Sequence, residues 1–146
     1  MLPAMNELDV LVVDGDRSLR LLLSRVLSAD LGVSVSVAAD GAEALDRVRI
    51  APPDVILLDL KLPDLDGVDV LRRLRSDPAT RSVPVVLVPA AGAGQVEAAL
   101  AEGADDWIAK PFDLDDLCSR VALWLCRSAS PTHGRVRAPV LAAASA

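Results

Sequence analysis

Short apolar runs alternate with amphipathic stretches five times along this chain, and this alternation restricts the fold more than any other feature. The first run is "LDVLVVD" at 8–14 and the last is "DWIA" at 106–109; each is followed by apolar residues at helical spacing. Strands that alternate with helices form βαβ crossovers, and strands that are apolar throughout are buried on both faces. The pattern predicts one α/β domain with a doubly wound, five-stranded parallel sheet, (βα)5, and helices on both faces.

The boundaries of these elements follow from the same periodicity. The predicted strands and helices are, in chain order, 8–14, 17–30, 33–38, 40–49, 54–60, 66–76, 83–88, 94–103, 106–109 and 113–126. The run at 54–60 is the most apolar and is expected to form the central strand. Asp16 and Asp40 stand just before helices and are expected to cap them.

Composition separates the folded body from the two ends. Residues 1–7 are predicted to be an N-terminal extension, 8–126 the domain, and 127–146 a flexible tail without periodicity. The tail holds three arginines and no acid, so residues 1–126 carry 12 of the 15 basic and all 21 acidic side chains, a net charge of −9. An acidic body argues against direct nucleic-acid binding. No run is long enough to span a membrane and no secretion signal is visible, so we expect a cytoplasmic protein.

Three ionisable residues follow predicted strands, namely Asp14, Asp59 and Lys110. In a doubly wound sheet, ligands bind at the carboxyl ends of the strands, where the strand order reverses. Two carboxylates and an ammonium at that place suit a small hard cation and a phosphoryl group. Taken singly, an aspartate there can cap the next helix and a lysine can be solvated. The agreement of all three favours a site.

Two segments resemble a known family. "LLDLKLPDLDG" at 57–67 is similar to the phosphoacceptor segment of bacterial response-regulator receiver (CheY-like) domains, and "GADDWIAKPF" at 103–112 is similar to the end of their fifth strand. The resemblance covers about residues 8–126 and implies the flavodoxin-like fold of that family and a role in two-component signal transduction. It implies that Asp59 accepts a phosphoryl group from a histidine kinase or phosphotransfer protein.

The resemblance also implies the rest of the site and the partners. Magnesium would be bridged by Asp59, by Asp14 through water, and by the backbone carbonyl of Lys61. Lys110 would pair with the phosphate, and its bond to Pro111 is commonly cis in the family. The face formed by the fourth helix, fifth strand and fifth helix would bind a downstream protein or a second copy. These features describe a phosphoacceptor signalling domain rather than an enzyme.

Three positions depart from the family pattern. Gly15 replaces a second acid that ligates the metal directly. Removing a carboxylate about 4 Å from a cation forfeits roughly 4 kcal/mol at an effective dielectric of 20, which predicts magnesium binding weakened by roughly two to three orders of magnitude. Asp16 could substitute, although capping is its favoured role. Pro89 replaces a Ser or Thr whose hydroxyl bonds the phosphate, and Trp107 replaces a mobile Tyr or Phe; we expect its indole to pack between the sheet and a helix.

The sequence thus favours an atypical, stand-alone receiver that takes phosphate inefficiently at Asp59 or acts without phosphorylation. Two alternatives stay open. "VVDGDRSL" at 12–19 also fits the motif that opens haloacid-dehalogenase-type phosphatases, in which Asp14 would be the nucleophile and Asp16 the acid/base. In the other, residues 1–126 form a docking scaffold that is independent of phosphorylation, and the arginine-bearing tail binds an acidic partner.

Overall fold

Strands and helices alternate over the part of the chain that the structure describes, Ala4 and residues 7–129 of a computed structural model. The elements are β1 (Asp9–Val13), α1 (Arg17–Leu31), β2 (Ser34–Ala38), α2 (Gly41–Ile50), β3 (Val55–Leu58), α3 (Gly67–Ser76), β4 (Val85–Leu87), α4 (Val96–Ala101), β5 (Asp106–Trp107) and α5 (Leu114–Ala129). All strands are parallel in the order β2-β1-β3-β4-β5. The predicted doubly wound sheet is confirmed, and β3 is its central strand.

Each face of the sheet carries its own apolar core under a layer of helices. Helices α2, α3 and α4 pack on one face, and α1 and α5 pack on the other. Alternate residues of a strand point to opposite faces, so β1 contributes Leu11 and Val13 to the first core and Val10 and Val12 to the second. This double burial is the reason that the central strands are continuous apolar runs rather than alternating ones.

Asp16 and Asp40 cap α1 and α2, as the sequence predicts. Oδ1 of Asp16 accepts hydrogen bonds from the backbone N–H groups of Ser18 at 2.9 Å and Leu19 at 3.4 Å. Oδ1 of Asp40 accepts one from the N–H of Glu43 at 2.8 Å. Each carboxylate thereby satisfies a donor that the helix itself leaves without a partner.

The later elements differ from their predicted lengths. Helix α4 is shorter than 94–103, because Gln95 makes no side-chain cap at its start and Gly103 turns the chain beyond its end with φ 106°. Strand β5 ends at Trp107. Helix α5 runs through the first three residues of the predicted tail, where Arg127 stacks on Trp124 with its guanidinium carbon 4.7 Å from the ring centroid.

Most of the predicted N-terminal extension and of the predicted tail lies outside the described residues. Among the residues that the structure does describe, no helix is both long enough and apolar enough to cross a membrane.

Gly67 lets α3 begin directly against the end of β3. Its N–H donates to the carbonyl of Leu60 at 2.8 Å. A Cβ at this position would lie 2.5 Å from the carbonyl oxygen of Asp59 and 2.6 Å from Cα of Leu60. Both are backbone atoms, so a larger residue would have to displace the segment that holds Asp59.

We predict that Gly67→Ala lowers the free energy of unfolding by roughly 1–3 kcal/mol, the usual cost of forcing an extra carbon into a packed site. Urea unfolding followed by circular dichroism measures it. Gly94→Ala is the matched control, because a Cβ there meets nothing within 4 Å and its φ is not positive. That change should alter stability by about 0.5 kcal/mol or less. Equal losses of unfolding free energy in Gly67→Ala and Gly94→Ala would show that the close backbone contact does not require a glycine at position 67.

Candidate functional site

Asp14, Asp59 and Lys110 meet at the carboxyl edge of the sheet. They follow β1, β3 and β5 respectively, and the strand order reverses between β1 and β3. Nζ of Lys110 lies 2.8 Å from Oδ2 of Asp14 and 3.4 Å from Oδ2 of Asp59. The two carboxylate side chains are only 5% and 10% exposed, whereas the lysine side chain is 25% exposed. The three groups therefore share one crevice, in which the lysine is the most exposed of the three.

Asp14 is held on several sides. Its Oδ1 accepts a hydrogen bond from the backbone N–H of Asp16 at 2.9 Å, while Oδ2 faces Lys110. Its backbone carbonyl accepts a bond from the guanidinium of Arg20 at 2.7 Å. Both carboxylate oxygens are thus oriented before any ligand arrives, which fixes the geometry of this side of the crevice.

The charges in the crevice shift two pKa values. Burial, followed by the negative charge of Asp14, raises the pKa of Asp59, and the opposing effects of Lys110 and the N–H of Lys61 do not cancel the rise. Burial acts to lower the pKa of Lys110, but the hydrogen bond and charge of Asp14 and then those of Asp59 outweigh it, so that pKa is raised. Lys110 therefore stays positively charged beside the two carboxylates.

A cleft of about 480 Å³ opens beside Asp59. It lies between two loops; its lining residues are Asp59, Leu60, Lys61, Asp66 and 90–95. The backbone N–H of Lys61 points to Oδ1 of Asp59 at 3.4 Å. The bond between Lys110 and Pro111 is cis. The cleft is wide enough for a small phosphorylated group to reach the Asp59 carboxylate.

The oxygens at this edge agree in kind with magnesium, which prefers carboxylates and carbonyls. Asp14, Asp59 and the backbone carbonyl of Lys61 could supply three of them. Gly15 supplies none, and the carboxylate of Asp16 is bonded to the start of α1. The described residues contain no group of three or more His, Cys, Asp or Glu that could hold a metal ion. The residues thus fit a magnesium ion with two carboxylate ligands, one fewer than an acid at position 15 would give.

Space for the absent acid exists at Gly15. A Cβ on this residue would lie 3.4 Å from Cδ of Pro63 and 3.9 Å from the carbonyl oxygen of Ala39, both ordinary contacts. The backbone conformation is one that any residue adopts. The fold therefore does not require a glycine at position 15. The consequence of this residue is that the crevice has one carboxylate fewer.

Pro89 and Trp107, the other two positions that depart from the family pattern, lie on the last two strands' side of the sheet, and Pro89 contacts Lys110. Pro89 is buried, and its carbonyl accepts the backbone N–H of Lys110 at 2.8 Å. It offers no hydroxyl, and neither do residues 90–95. The expected packing of Trp107 between the sheet and a helix is wrong, because the residue is 44% exposed. Trp107 instead lines a groove together with Val96 and Leu100 of the short α4.

Sequence reasoning missed two residues that shape the crevice. Arg20 binds the carbonyl of Asp14, as described above. Asp64 accepts backbone hydrogen bonds from Gly41 at 2.8 Å and Ala42 at 3.0 Å, across a separation of more than twenty residues. No local pattern reveals such a contact; only the observation that "LPDLDG" holds an acid beyond those assigned to the site could have drawn attention to it.

A doubly wound sheet with two carboxylates and a lysine at its switch point defines a CheY-like domain, and the comparisons with known proteins are consistent with that class. The response regulator receiver domain model matches residues 10–122. The chain belongs to this family, whose members act in two-component signalling. This membership removes the support for a phosphatase built on Asp14 and Asp16.

Individual relatives agree with the family assignment. Response regulator MprA of Mycobacterium sp. (strain KMS) is 42% identical over 126 residues, which are 86% of this chain and 53% of that protein. The chain thus spans about half the length of the curated relatives it matches. The receiver domain of a Francisella response regulator is 32% identical with a TM-score of 0.74, covering 82% of this chain and 98% of that one. The signal receiver domain of a Syntrophus aciditrophicus histidine kinase is 28% identical with a TM-score of 0.74, covering 81% and 89%.

We predict that Asp59→Asn raises the unfolding midpoint at neutral pH. Since the pKa of Asp59 is raised above its ordinary value of 3.8, the ionised carboxylate is disfavoured in the folded state. This penalty is present above the raised pKa and disappears as the pH falls below the unfolded value, where both states are protonated. Thermal unfolding of both proteins between about pH 4 and pH 7.5 measures the difference.

Asp46→Asn is the control for this prediction, because that carboxylate is 67% exposed on α2. Its substitution should leave the midpoint nearly unchanged at every pH. A midpoint for Asp59→Asn that lies below that of the unmodified protein at neutral pH would contradict the electrostatic explanation.

Proposed function

We propose that this chain is an atypical receiver in which Asp59 accepts a phosphoryl group, inefficiently, from a histidine kinase or phosphotransfer protein. The observation that supports it is the placement of one ammonium, that of Lys110, within 2.8 Å of Asp14 and 3.4 Å of Asp59. The ionised carboxylate of Asp59 would attack phosphorus. The bond from phosphorus to the donor's nitrogen would break as the bond to Oδ of Asp59 forms, leaving an acyl phosphate.

The other residues of the crevice have roles that follow from their charge and position. Lys110 would neutralise part of the charge on the phosphoryl oxygens. Asp14, Asp59 and the backbone carbonyl of Lys61 would hold magnesium, which when bound stabilises charge on the transferring group. With two carboxylates and one ammonium the crevice has a formal charge of −1. An acid at Gly15 would double that charge, so the present site attracts a divalent cation less strongly.

Pro89 is the basis for proposing that the response to phosphate is also atypical. A hydrogen bond to a charged group contributes roughly 1.5–3 kcal/mol, and a proline cannot donate one. Its loss would remove roughly a tenfold to hundredfold bias toward an active conformation. We therefore propose that contacts with a partner stabilise the active form. Signalling that is independent of phosphorylation is the second function that Pro89 favours.

The partner surface that we propose is formed by α4, β5 and α5. Large apolar side chains are exposed there, with Leu100 at 38%, Trp107 at 44% and Leu123 at 55%. The first two line a groove of about 510 Å³ beside the loop that follows β4. Burial of exposed apolar side chains drives association, so a downstream protein or a second copy would bind here.

The cytoplasmic location and the stand-alone character stay predictions, as does a role for the tail, which lies largely outside the described residues.

We expect acetyl phosphate with magnesium to modify the protein slowly and only at Asp59. Phosphate-affinity electrophoresis should show a retarded band that is absent from Asp59→Ala. Asp66→Ala is the matched control, because this acid lines the same cleft, whereas the ion pairs of Lys110 run to Asp14 and Asp59; it should keep the retarded band. Identical, unretarded bands for the native protein and Asp59→Ala would end the phosphoacceptor proposal.

We expect Gly15→Asp to tighten magnesium binding at least tenfold, because it restores a carboxylate within about 4 Å of the cation. The fluorescence of Trp107 during a magnesium titration measures the affinity, in a Trp124→Phe background that removes the second indole. Gly15→Asn has nearly the same size without the charge and should tighten binding far less. Saturation of the protein with Gly15 intact at sub-millimolar magnesium would show that the glycine costs less than proposed.

A further inference from the structure

Asp64 joins the loop between β3 and α3 to the start of α2. Its Oδ1 accepts the backbone N–H of Gly41 at 2.8 Å, and its Oδ2 accepts that of Ala42 at 3.0 Å. Oδ1 also accepts the N–H of the next residue, Leu65, at 2.8 Å. A single carboxylate therefore bonds two adjacent N–H groups of another element and one of its own loop.

The contact is more than a helix cap, because α2 already has one. Asp40 accepts the N–H of Glu43, and Oε1 of Glu43 accepts the N–H of Ala39 at 2.7 Å. Local residues thus satisfy the donors on either side of Gly41 and Ala42, and Asp64 supplies the remaining acceptor from a distant loop. The N-terminus of α2 serves as a fixed anchor for that loop.

Apolar packing brings the loop and the helix close enough for these bonds. A Cβ on Gly41 would lie 2.9 Å from Cδ1 of Leu65, so a larger residue here would displace the Leu65 side chain from its present position. On its other side the loop packs Pro63 next to Gly15. The segment that begins at Asp59 is therefore clamped between α2 and the end of β1.

The same loop carries a proposed metal ligand. Lys61 pairs with Asp66 as an isolated antiparallel bridge, and its N–H lies 3.4 Å from Oδ1 of Asp59. The position of its backbone carbonyl thus depends on the loop as a whole. Without an acid at Gly15, that carbonyl is one of the three protein groups of the proposed site, beside the carboxylates of Asp14 and Asp59.

We propose that Asp64 is a positioning residue for the phosphoacceptor site, which fixes the carbonyl of Lys61 for magnesium by tying its loop to α2. The inference rests on the proposed function. It assigns to an exposed acid an effect on metal binding that is separate from its effect on stability.

The anchor persists at neutral pH. The N–H groups of Gly41 and then Ala42 hold the pKa of the Asp64 carboxyl below its ordinary value. The stability that these bonds contribute is therefore present above the unfolded pKa and is lost only as the pH falls through the lower, folded value.

The test compares Asp64→Ala and Asp64→Asn with Asp40→Ala. All three weaken the start of α2, but only the first two release the loop. Amide chemical shifts of residues 59–61 during a magnesium titration give the half-saturating magnesium concentration. The titration is made with Gly15 present and again in a Gly15→Asp background, because binding is expected to be tighter in the second. Thermal unfolding of each variant reports stability separately.

We expect Asp64→Ala to raise the half-saturating magnesium concentration at least threefold in both backgrounds. The concentration for Asp64→Asn should fall between those of Asp64→Ala and the native protein. Asp40→Ala should leave the half-saturating concentration nearly unchanged, although it loses a similar amount of thermal stability. Equal effects of Asp64→Ala and Asp40→Ala, no effect of Asp64→Ala, or no saturable binding in either background would overturn the proposal. Because binding is measured without phosphorylation, these outcomes are distinct from a failure of Asp59 to accept phosphate.

Discussion

The ammonium of Lys110 is the interaction on which the carboxyl edge of the sheet depends. Asp14 and Asp59 are both buried, and two buried carboxylates that face each other without a cation would repel strongly. Lys110 bonds both of them, and its own backbone N–H is held by Pro89 at the end of β4. Strands β1, β3, β4 and β5 are thus joined by one side chain and one backbone bond at the place where the chemistry would occur.

The fold was predictable because its main determinants, the apolar runs and the helix caps, involve residues that are close together in the sequence. Apolar runs such as 54–60 are buried on both faces, which only a covered parallel sheet allows, and Asp16 and Asp40 mark helix starts through bonds to residues two or three positions away. Element lengths were less predictable. Helix α4 starts at Val96 without a side-chain cap from Gln95, and α5 continues past its predicted end to Ala129, a stretch in which Arg127 stacks on Trp124.

Some residues of the candidate site could be predicted from the sequence and others could not. Strand ends identify Asp14, Asp59 and Lys110, because parallel strands must finish at a common edge. The exposure of Trp107 could not be predicted, since it depends on how much of the ring a neighbouring helix covers. The clamp at Asp64 could not be predicted either, because its acceptors and the donors on α2 are brought together only by the packing of Leu65 against Gly41.

A phosphoryl group on Asp59 would change the balance that Lys110 maintains. The ammonium is now nearer to Asp14, and a group with greater negative charge would attract it away. Lys110 comes three residues after Trp107, the last residue of β5, so a shift of its side chain and backbone would act on the end of that strand. Pro89 has no hydroxyl to draw in the loop after β4, whereas Lys110 would connect the phosphate to the end of β5 and so to the exposed face of α4, β5 and α5. In this receiver the response to phosphorylation would therefore start from a charge that moves rather than from a hydrogen bond that forms.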